Sequence, residues 1–388
     1  HYAKWTELDI TIKPNSLALN GFSFADDKNA IALFKNLKPQ DVDMVEILPY
    51  NTAFLYHYGI SDAETFFDNR KALLKSKNQF FNYQRYLDEQ TENYSIDLEV
   101  ELLGNIANEV AMVVTESQNE DFTDNRYIVF SVKDIEQANK NLKDIANKTN
   151  DEPSEPVLFN EHAIYKVGLK NIFEKLLGKP FANLNNHYYT FVNEYIVFGN
   201  SENALKTFIT NINNNKTLSN NDNFKSFYDE LSSSSNLFVY NNVARSVNLY
   251  KTISSEKHLT IFEEKLETFR KFEAVAYQLN TEKNNLYYNN LYLKYNPVYK
   301  QETASLWEVA LDTNISQTPQ IVTNHKTGAK EIIVQDDANK LYLISNTGKI
   351  VWTKQLAEKV ESRYHQIDVY KNNKLQLLFN TKSKIYLI

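Results

Sequence analysis

The stretch "RYIVFSVKDIEQANKNLKDI", Arg126 to Ile145, decides how the first three hundred residues of this sequence are interpreted. It opens on a short hydrophobic run, which is typical of a buried strand, and continues with hydrophobic residues three and four positions apart, which is typical of an amphipathic helix. The predicted helical stripe consists of Ile135, Ala138, Leu142 and Ile145. Asp134 is placed to cap the helix.

A second copy of this phrase, "EYIVFGNSENALKTFITNI", begins at Glu194. Its strand is again Tyr-Ile-Val-Phe, and Ser201 takes the capping position. The helical stripe of this copy consists of Ala204, Leu205, Phe208 and Ile212. The two copies predict two strand-helix units of the same design.

Two further pairs of segments match in the same region. "LPYNTAFLYHYGISDAETF" from Leu48 matches "LSSSSNLFVYNNVARSVNLY" from Leu231, and "EVAMVV" from Glu109 matches "EAVAYQL" from Glu273. In the first of these segments, Ser61 and Glu64 form a capping-box pattern. We therefore expect an α+β fold made of two related halves, residues 1–155 and 156–300, joined through the polar stretch 150–156.

The last ninety residues carry a different repeat. "KLYLI" at 340–344 returns as "KIYLI" at 384–388, which places Tyr342 and Tyr386 44 residues apart. Trp307 and Trp352 mark nearly the same period. Alternating apolar and polar residues between turn signals predict antiparallel hairpins, and a four-stranded repeat of this length has the size of a propeller blade. Residues 301–388 are therefore expected to begin an all-β, propeller-like array that continues beyond this sequence.

Two features of this repeat leave alternatives open. The tryptophans either fill the space between blades or stack on a cofactor. The pair Asp336-Asp337 forms either a solvated hairpin turn or part of a calcium loop, although the glycine and the distal glutamate of such a loop are missing. We favour packing for the tryptophans and a turn for the aspartates.

The composition excludes several classes of protein. With 42% hydrophobic residues the chain is rich enough to fold around cores, and a net charge of −7 without a basic cluster argues against nucleic-acid binding. It has no cysteine, which excludes disulfides and Cys-ligated metals and suits an oxidising envelope. No apolar run is long enough to span a membrane. Because the chain starts at His1, we expect a processed or truncated piece whose membrane anchor lies outside it.

A search for catalytic and metal-binding patterns identifies none. The seven histidines show no metal-ligand spacing, and no phosphate loop or Gly-x-Ser-x-Gly elbow is present. His57 is either a metal ligand or, as we favour, a strand residue on the polar face. Glu263, Glu264, Lys265 and Glu267 indicate a solvated helix face. No catalytic, cofactor-binding or metal-ligating residue is predicted, and no cofactor is expected.

The sequence resembles two known groups of proteins. "ILPYNTAFLYHYG", "LLGNIANEVAMVV" and "EYIVFGNSENAL" are similar to segments of a Bacteroidetes-type family of bacterial envelope proteins, a domain of unknown function. "GKIVW" at 348–352 resembles the strand-end phrase of quinoprotein-like propellers. The first resemblance implies a periplasmic or surface location and an N-terminal anchor, and it implies no activity.

These observations favour a non-enzymatic scaffold of the cell envelope that binds another protein through its α+β domain and its propeller-like platform. Two other classes stay open. One is a propeller enzyme, either a quinone-cofactor dehydrogenase or a hydrolase. The other is a sugar- or lipid-binding protein, which the abundant tyrosines suggest. A protein partner in the envelope is expected, without nucleic acid, and with the membrane reached only through an anchor.

Overall fold

A computed structural model describes residues 1–152, 155–185, 187–254, 256–283, 285–297, 309–346 and 348–388, without the side chains of 256, 257 and 261. The chain divides into two compact units. The first contains His1–Leu158 and His162–Gln301, and the second contains Glu302–Ile388 together with the turn Phe159–Glu161. The chain is 30% helical and 35% strand, so the fold is α+β.

The strands up to residue 295 are β1 (Trp5–Lys13), β2 (Ser16–Phe24), β3 (Gln40–Asp41), β4 (Thr52–Gly59), β5 (Ile106–Thr115), β6 (Arg126–Val132), β7 (Val157–Phe159), β8 (His162–Val167), β9 (His187–Val192), β10 (Tyr195–Gly199), β11 (Ser234–Ser235), β12 (Leu237–Asn242), β13 (Phe272–Thr281) and β14 (Leu286–Tyr295). The helices are α1 (Ala63–Ser76), α2 (Phe80–Tyr94), α3 (Leu98–Glu101), α4 (Ile135–Thr149), α5 (Ile172–Leu177), α6 (Glu202–Asn213), α7 (Asp222–Tyr228), α8 (Val247–Ile253), α9 (Glu256–Glu264) and α10 (Leu266–Phe269).

One large sheet organises the first unit. Over the described residues it has twelve strands in the order β1-β2-β14-β13-β12-β4-β5-β6-β10-β9-β8-β7. Neighbours from β1 to β8 run antiparallel. The two expected halves, 1–155 and 156–300, therefore contribute strands to the same sheet.

One row of side chains crosses eleven of these strands on a single face, which we call the front face. Residues directly opposite each other in neighbouring strands point to the same side of a sheet. The registers place the following residues in this row: Ile10, Leu19, Leu291, Tyr277, Val239, Tyr56, Met112, Ile128, Phe198, Tyr189 and Tyr165. Every member of the row is hydrophobic, so one apolar row crosses the front face from β1 to β8.

Helices cover the part of the front face between β4 and β9. Phe66 of α1, Tyr83 of α2, Leu142 of α4 and Phe173 of α5 share one hydrophobic core with Ile128. On the opposite face, the back face, Tyr127 packs against Phe208 of α6 with ring centroids 5.1 Å apart, and Tyr240 packs against Phe224 of α7 at 5.1 Å. The sheet thus has helices on both sides.

The repeated strand-helix phrase folds as predicted. Tyr127–Phe130 and Tyr195–Phe198 lie in β6 and β10, which lead into α4 and α6. The Asp134 side chain accepts a hydrogen bond from the Gln137 amide at 3.0 Å, and Ser201 accepts one from the Ala204 amide at 3.0 Å, so both caps are confirmed. The two copies are also neighbours, because β6 and β10 pair antiparallel with Val129 directly opposite Val197.

Three details differ from the sequence-based expectations. Ser61 does not cap α1, because Asp62 accepts the Thr65 amide at 2.7 Å while the Ser61 hydroxyl accepts the Lys38 amide at 2.9 Å. Ile135 is exposed, since the first turn of α4 extends past the core. On α6, Ile209 is buried where the expected stripe included Ile212, which is only half-buried.

The matched segments fall in three successive parts of the chain. The order strand, helix, hairpin occurs in β4–α1–β5–β6, in β8–α5–β9–β10 and in β12–α8–β13–β14. The hairpins of the first and third parts have the same register. Val110 lies opposite Phe130 in the first part, and Ala274, which aligns with Val110 in the sequence match, lies opposite Lys294 in the third. The join at 150–156 separates the first part from the second, while the matches from Leu231 and Glu273 belong to the third.

The second unit consists of short antiparallel strands. These are β15 (Gln320–Thr323), β16 (Lys330–Gln335), β17 (Lys340–Ile344), β18 (Ile350–Gln355), β19 (His365–Ile367), β20 (Gln376–Asn380) and β21 (Ile385–Leu387). Among the described residues they form a four-stranded sheet, β15-β16-β17-β18, and a three-stranded sheet, β19-β20-β21. The strands of "KLYLI" and "KIYLI", β17 and β21, are each the third strand of their sheet, and Trp352 lies on β18, which follows the first of them. Trp307 lies outside the described residues.

Glutamine side chains join the two sheets of the second unit. The Gln320 side chain donates to the Tyr364 carbonyl at 2.7 Å and accepts from the Tyr364 amide at 2.9 Å. The Gln366 side chain does the same with Thr323, at 2.8 and 2.7 Å. Each glutamine side-chain amide donates one hydrogen bond and accepts another, as a backbone peptide group in a neighbouring strand would. The hydrogen bonds between the two sheets therefore resemble those between adjacent strands.

Candidate functional site

Toward β1, no helix of the described residues packs over the front face. We call this uncovered area the aliphatic patch. It is built from two rows of branched side chains on three strands, and the registers place those rows side by side. Its members are Ile10, Leu19 and Leu291 in one row and Ile12, Leu17 and Leu293 in the other. All six are aliphatic, so the patch offers no hydrogen-bonding side chain.

Burial changes sharply along the row that crosses the sheet. Ile10 and Ile12 on β1 are 64% and 78% exposed, and the four leucines of the patch are half-buried. Farther along the same row, Met112 is 3% exposed and Ile128 is 0% exposed. Because solvent reaches a contiguous set of aliphatic side chains that continues directly from the core, the patch differs from scattered surface hydrophobics.

A polar border separates the aliphatic patch from the helix-covered region. The hydroxyls of Tyr2 and Tyr277 are hydrogen-bonded to each other, and the Tyr277 hydroxyl also donates to Asn289. Asn289 in turn donates to the Ser23 hydroxyl at 2.9 Å. Burial raises the pKa of Tyr277 to about 12, so this border is uncharged at neutral pH.

Strand β1 adds an open edge to the patch. All nine of its residues are exposed, and each is paired with β2 in an unbroken register. No described residue pairs with its other edge. The strand carries no proline and no bulge, two features that protect an edge, and its only such protection is the charge of Glu7, Asp9 and Lys13. The first unit therefore ends in an apolar surface and a row of free backbone groups side by side.

A buried polar cluster lies on the back face of the same sheet. The Nε2 atom of His57 is 3.1 Å from Oε1 of Glu109, and the Tyr195 hydroxyl donates to Oε2 of Glu109 at 2.8 Å. The Met44 amide donates to Oε1 at 3.2 Å. A histidine, a carboxylate and a tyrosine could transfer protons to and from a substrate. His57 is fully buried, however, and Glu109 and Tyr195 are nearly so, and a substrate therefore has no access to them. The cluster therefore pairs buried polar groups with one another, except for the Nδ1 atom of His57, which has no hydrogen-bond partner among the described residues.

The structure corrects the expectation for His57. It lies on a strand, as predicted, but its side chain is enclosed rather than placed on a solvated polar face. Its partner Glu109 was not selected from the sequence. The available signal was a single charged residue at the start of an otherwise apolar strand, "EVAMVV", since a buried carboxylate of this kind requires partners.

A cleft of about 570 Å³ opens between the two sheets of the second unit. Its lining includes Trp352, Glu331, Gln366 and Lys326. Trp352 packs partly buried against the core of this unit, as expected for packing between sheets. Glu331 already accepts a hydrogen bond from Asn324 at 2.7 Å, and Gln366 is engaged with Thr323. The cleft can accept a small polar molecule, but its polar side chains serve the fold.

The structure also shows where the other residues singled out from the sequence lie. Asp336 closes the β16–β17 turn, where its carboxylate accepts the amides of Ala338 and Lys340 at 3.0 and 2.8 Å and the Tyr342 hydroxyl at 2.8 Å. The charged run Glu263, Glu264, Lys265 and Glu267 is exposed, as predicted. Within the described part of the chain, no group of three or more His, Cys, Asp or Glu residues is arranged to hold a metal ion.

Comparisons with protein-family models, with curated proteins and with solved structures find no match to this chain. None of the helices in the described residues is long and apolar enough to cross a membrane.

Proposed function

We propose that this protein is a non-enzymatic scaffold of the bacterial cell envelope that binds another protein through the aliphatic patch. The observation that carries the proposal is the row from Ile10 to Tyr165, which is hydrophobic throughout but covered only in part. The patch extends the hydrophobic core, but no described helix packs over it. Such a surface is suited to a partner protein that covers it. The partner is expected to present an apolar helix or sheet face of its own.

The energetics of the exposed isoleucines support a bound partner. Ile10 and Ile12 are 64% and 78% exposed, and burying a side chain of this size contributes about 1.5–3 kcal/mol when it is complete. Each isoleucine therefore has about 1–2 kcal/mol to gain from being covered. The half-buried leucines of β2 and β14 add to this. The polar border at Tyr277 and Asn289 would form the rim of the interface.

The second unit fits the proposal as a platform. Its two consecutive sheets, with equivalent third strands and reciprocal glutamine bonds, support our interpretation of residues 301–388 as the beginning of a quinoprotein-like propeller. The resemblance to the Bacteroidetes-type envelope family supports a periplasmic or surface location with an anchor outside this chain. The matched hairpin registers of the first unit support an origin by repetition of strand-helix segments.

Site-directed photo-crosslinking in the envelope of the producing cell tests this function. A photoreactive residue at Leu19 or Leu291 lies in the aliphatic patch, whereas one at Asn20 lies on the back face of the same strand. We expect both patch positions to give one recurring protein adduct, which mass spectrometry identifies, and the Asn20 control to give none. In purified form, L19E and L291E should then lose binding to that partner, and T11E on the back face should keep it.

The lipid-binding alternative has one specific observation in its favour, the purely aliphatic chemistry of the patch. The same experiment separates the two functions, because mass spectrometry of the adduct distinguishes a crosslinked lipid from a crosslinked polypeptide. Adducts of lipid mass alone would replace the scaffold proposal with lipid binding. Equal labelling from Leu19 and Asn20, or no adduct at either, would remove both.

A further inference from the structure

Among the described residues, the outer edge of β1 has a defined set of backbone groups without a partner. The Asn15 carbonyl accepts the Tyr295 amide of β14 at 2.8 Å, so odd-numbered residues of β2 direct their backbone toward β14 and even-numbered ones toward β1. Their partners on β1 are the odd-numbered residues. The N–H and C=O groups that point away from β2 therefore belong to Thr6, Leu8, Ile10 and Ile12.

The side chains of β1 are self-complementary about Ile10. In an antiparallel pair of two β1 strands related by a twofold axis at Ile10, Glu7 of one copy lies opposite Lys13 of the other, and this occurs twice. On the front face, Leu8 lies opposite Ile12 and Ile10 lies opposite its own counterpart. Opposite charges and aliphatic pairs at directly facing positions each stabilise an antiparallel pair. Leu8, Ile10 and Ile12 are also three of the four residues whose backbone groups point outward; the fourth, Thr6, lies opposite Pro14.

We propose that the protein forms a twofold homodimer by pairing β1 with β1 of a second copy, with Ile10 on the axis. The pairing joins the two sheets edge to edge and satisfies the backbone groups of Leu8, Ile10 and Ile12 in both copies. It also ends the exposure of a long, uninterrupted edge, which otherwise pairs with any available strand. The two aliphatic patches become one continuous surface across the axis. This proposal is independent of the proposed function.

Neighbouring registers are less favourable. With the axis at Asp9, the two Asp9 side chains face each other, and like charges directly opposite are destabilising. With the axis at Leu8, Glu7 faces Asp9 twice. With the axis at Thr11, Asp9 faces Lys13, but Leu8 then lies opposite Pro14, which has no N–H to donate. Only the register at Ile10 brings opposite charges together and still places Leu8, Ile10 and Ile12 opposite residues that can donate an N–H.

Single cysteines test the dimer and its register, because the natural chain contains none. At the axis, the two Ile10 Cα atoms are about 5.5 Å apart, which lies within disulfide range. Two Leu8 residues are about 13 Å apart in the same dimer, since four residues separate them along the strands. Under mild oxidation or with a short thiol crosslinker, we expect I10C to give a covalent dimer and L8C to stay monomeric. An equimolar mixture of L8C with I12C should give a crosslinked pair of the two.

Charge reversal gives a second, independent test. E7K places two lysines opposite each other on both sides of the axis, and K13E places two glutamates there, so each single variant should weaken association about tenfold or more. The double variant E7K/K13E restores opposite charges and should restore association. Sedimentation velocity over a concentration series measures this. Both substitutions are at exposed positions, so circular dichroism should be unchanged.

Each outcome decides the proposal. Preferential crosslinking by I10C together with recovery in the double variant supports the dimer at this register. Preferential crosslinking by T11C or D9C instead would overturn the register. A monomer by sedimentation at every concentration, without crosslinking from β1, would overturn the dimer itself. Covalent dimers formed equally from L8C and I10C would show random collision rather than a defined pair.

Discussion

The Tyr195 hydroxyl donates a 2.8 Å hydrogen bond to the Glu109 carboxylate, although the two residues lie 86 positions apart in the chain. Tyr195 lies in β10, Glu109 in β5, and His57 reaches the same carboxylate from β4. Burial raises the pKa of Tyr195, and the negative charge of the neighbouring Glu109 raises it further. The hydroxyl therefore stays protonated and can donate. This carboxylate therefore links three strands of the large sheet from its back face.

The first prediction concerns the stability that Glu109 provides. E109A removes the acceptor for Tyr195, His57 and the Met44 amide while all three stay buried, so we expect a loss of about 3–5 kcal/mol in the free energy of unfolding. Y195F removes one hydrogen bond and should cost about 1–2 kcal/mol. Urea unfolding measures both, with E263A on an exposed helix as the control. If E109A and E263A had the same stability, the cluster would have no structural role.

The second prediction is a loss of stability at alkaline pH. Burial raises the pKa of Tyr250, Tyr287 and Tyr364 to about 12, above the ordinary value of 10. The folded state therefore keeps protons that the unfolded state releases, so stability is intact below pH 10 and falls as the pH rises toward 12. Each tyrosine should lower the free energy of unfolding by about 1.4 kcal/mol per pH unit in this window.

Urea unfolding between pH 8 and 11.5, followed together with tyrosinate absorbance, checks this. The variants Y250F, Y287F and Y364F should each make the decline less steep. Unchanged stability up to pH 11.5 would contradict the raised values.

Local sequence patterns predicted the strand-helix units but not their arrangement in the sheet. The caps Asp134 and Ser201 and the helical stripes depend on residues within a few positions of one another, which a sequence displays directly. The contact of β2 with β14 joins Leu19 to Leu291, and no local pattern specifies such a pairing. The central place of β4 and β12 is likewise a result of distant pairing.

The candidate site was missed for a related reason. Alternation in "WTELDITIK" indicates a strand with one apolar face, and such a face is usually buried. Whether a helix covers Ile10 and Ile12 depends on the rest of the fold, so their exposure could not be predicted. In the second unit, by contrast, both the repeat and the strand order are local, since each strand pairs with the next, and the hairpins were predicted correctly.

The third prediction concerns Gly21, which lies on β2 beneath β1. A Cβ atom at this position would be 2.0 Å from the Glu7 carbonyl oxygen, so any side chain must displace β1. G21A should therefore lower the free energy of unfolding by about 1–3 kcal/mol and loosen the edge strand. Hydrogen exchange should show faster exchange of the amides of Glu7, Asp9 and Thr11.

The matched control is G104A, where the nearest backbone atom, the Glu99 carbonyl oxygen, is 3.4 Å from the new Cβ, an ordinary contact. Edge amides that exchange as slowly in G21A as in G104A would show that β1 can adapt without separating from β2.

The last prediction concerns the glutamines that join the two sheets of the second unit. Gln320 and Gln366 occupy equivalent places at the starts of their repeats, and each bonds both backbone groups of a residue in the other sheet. Q320A and Q366A should each leave one partly buried amide and one carbonyl without a protein partner, at a cost of about 1–3 kcal/mol. H365A, on the adjacent exposed position of β19, should cost less than about 0.5 kcal/mol.

Limited proteolysis of the full chain should then show earlier cleavage in the 320–388 region for both glutamine variants, while the sheet of the first unit keeps its protection. Because the two bonded pairs are neighbours, the double variant should cost less than the two single losses added together. If Q366A and H365A resisted the protease equally, hydrophobic packing around Trp352 and Leu377 would be sufficient to join the sheets. A propeller-like array in which every sheet is bonded to the next through such a glutamine would then lose its best local support.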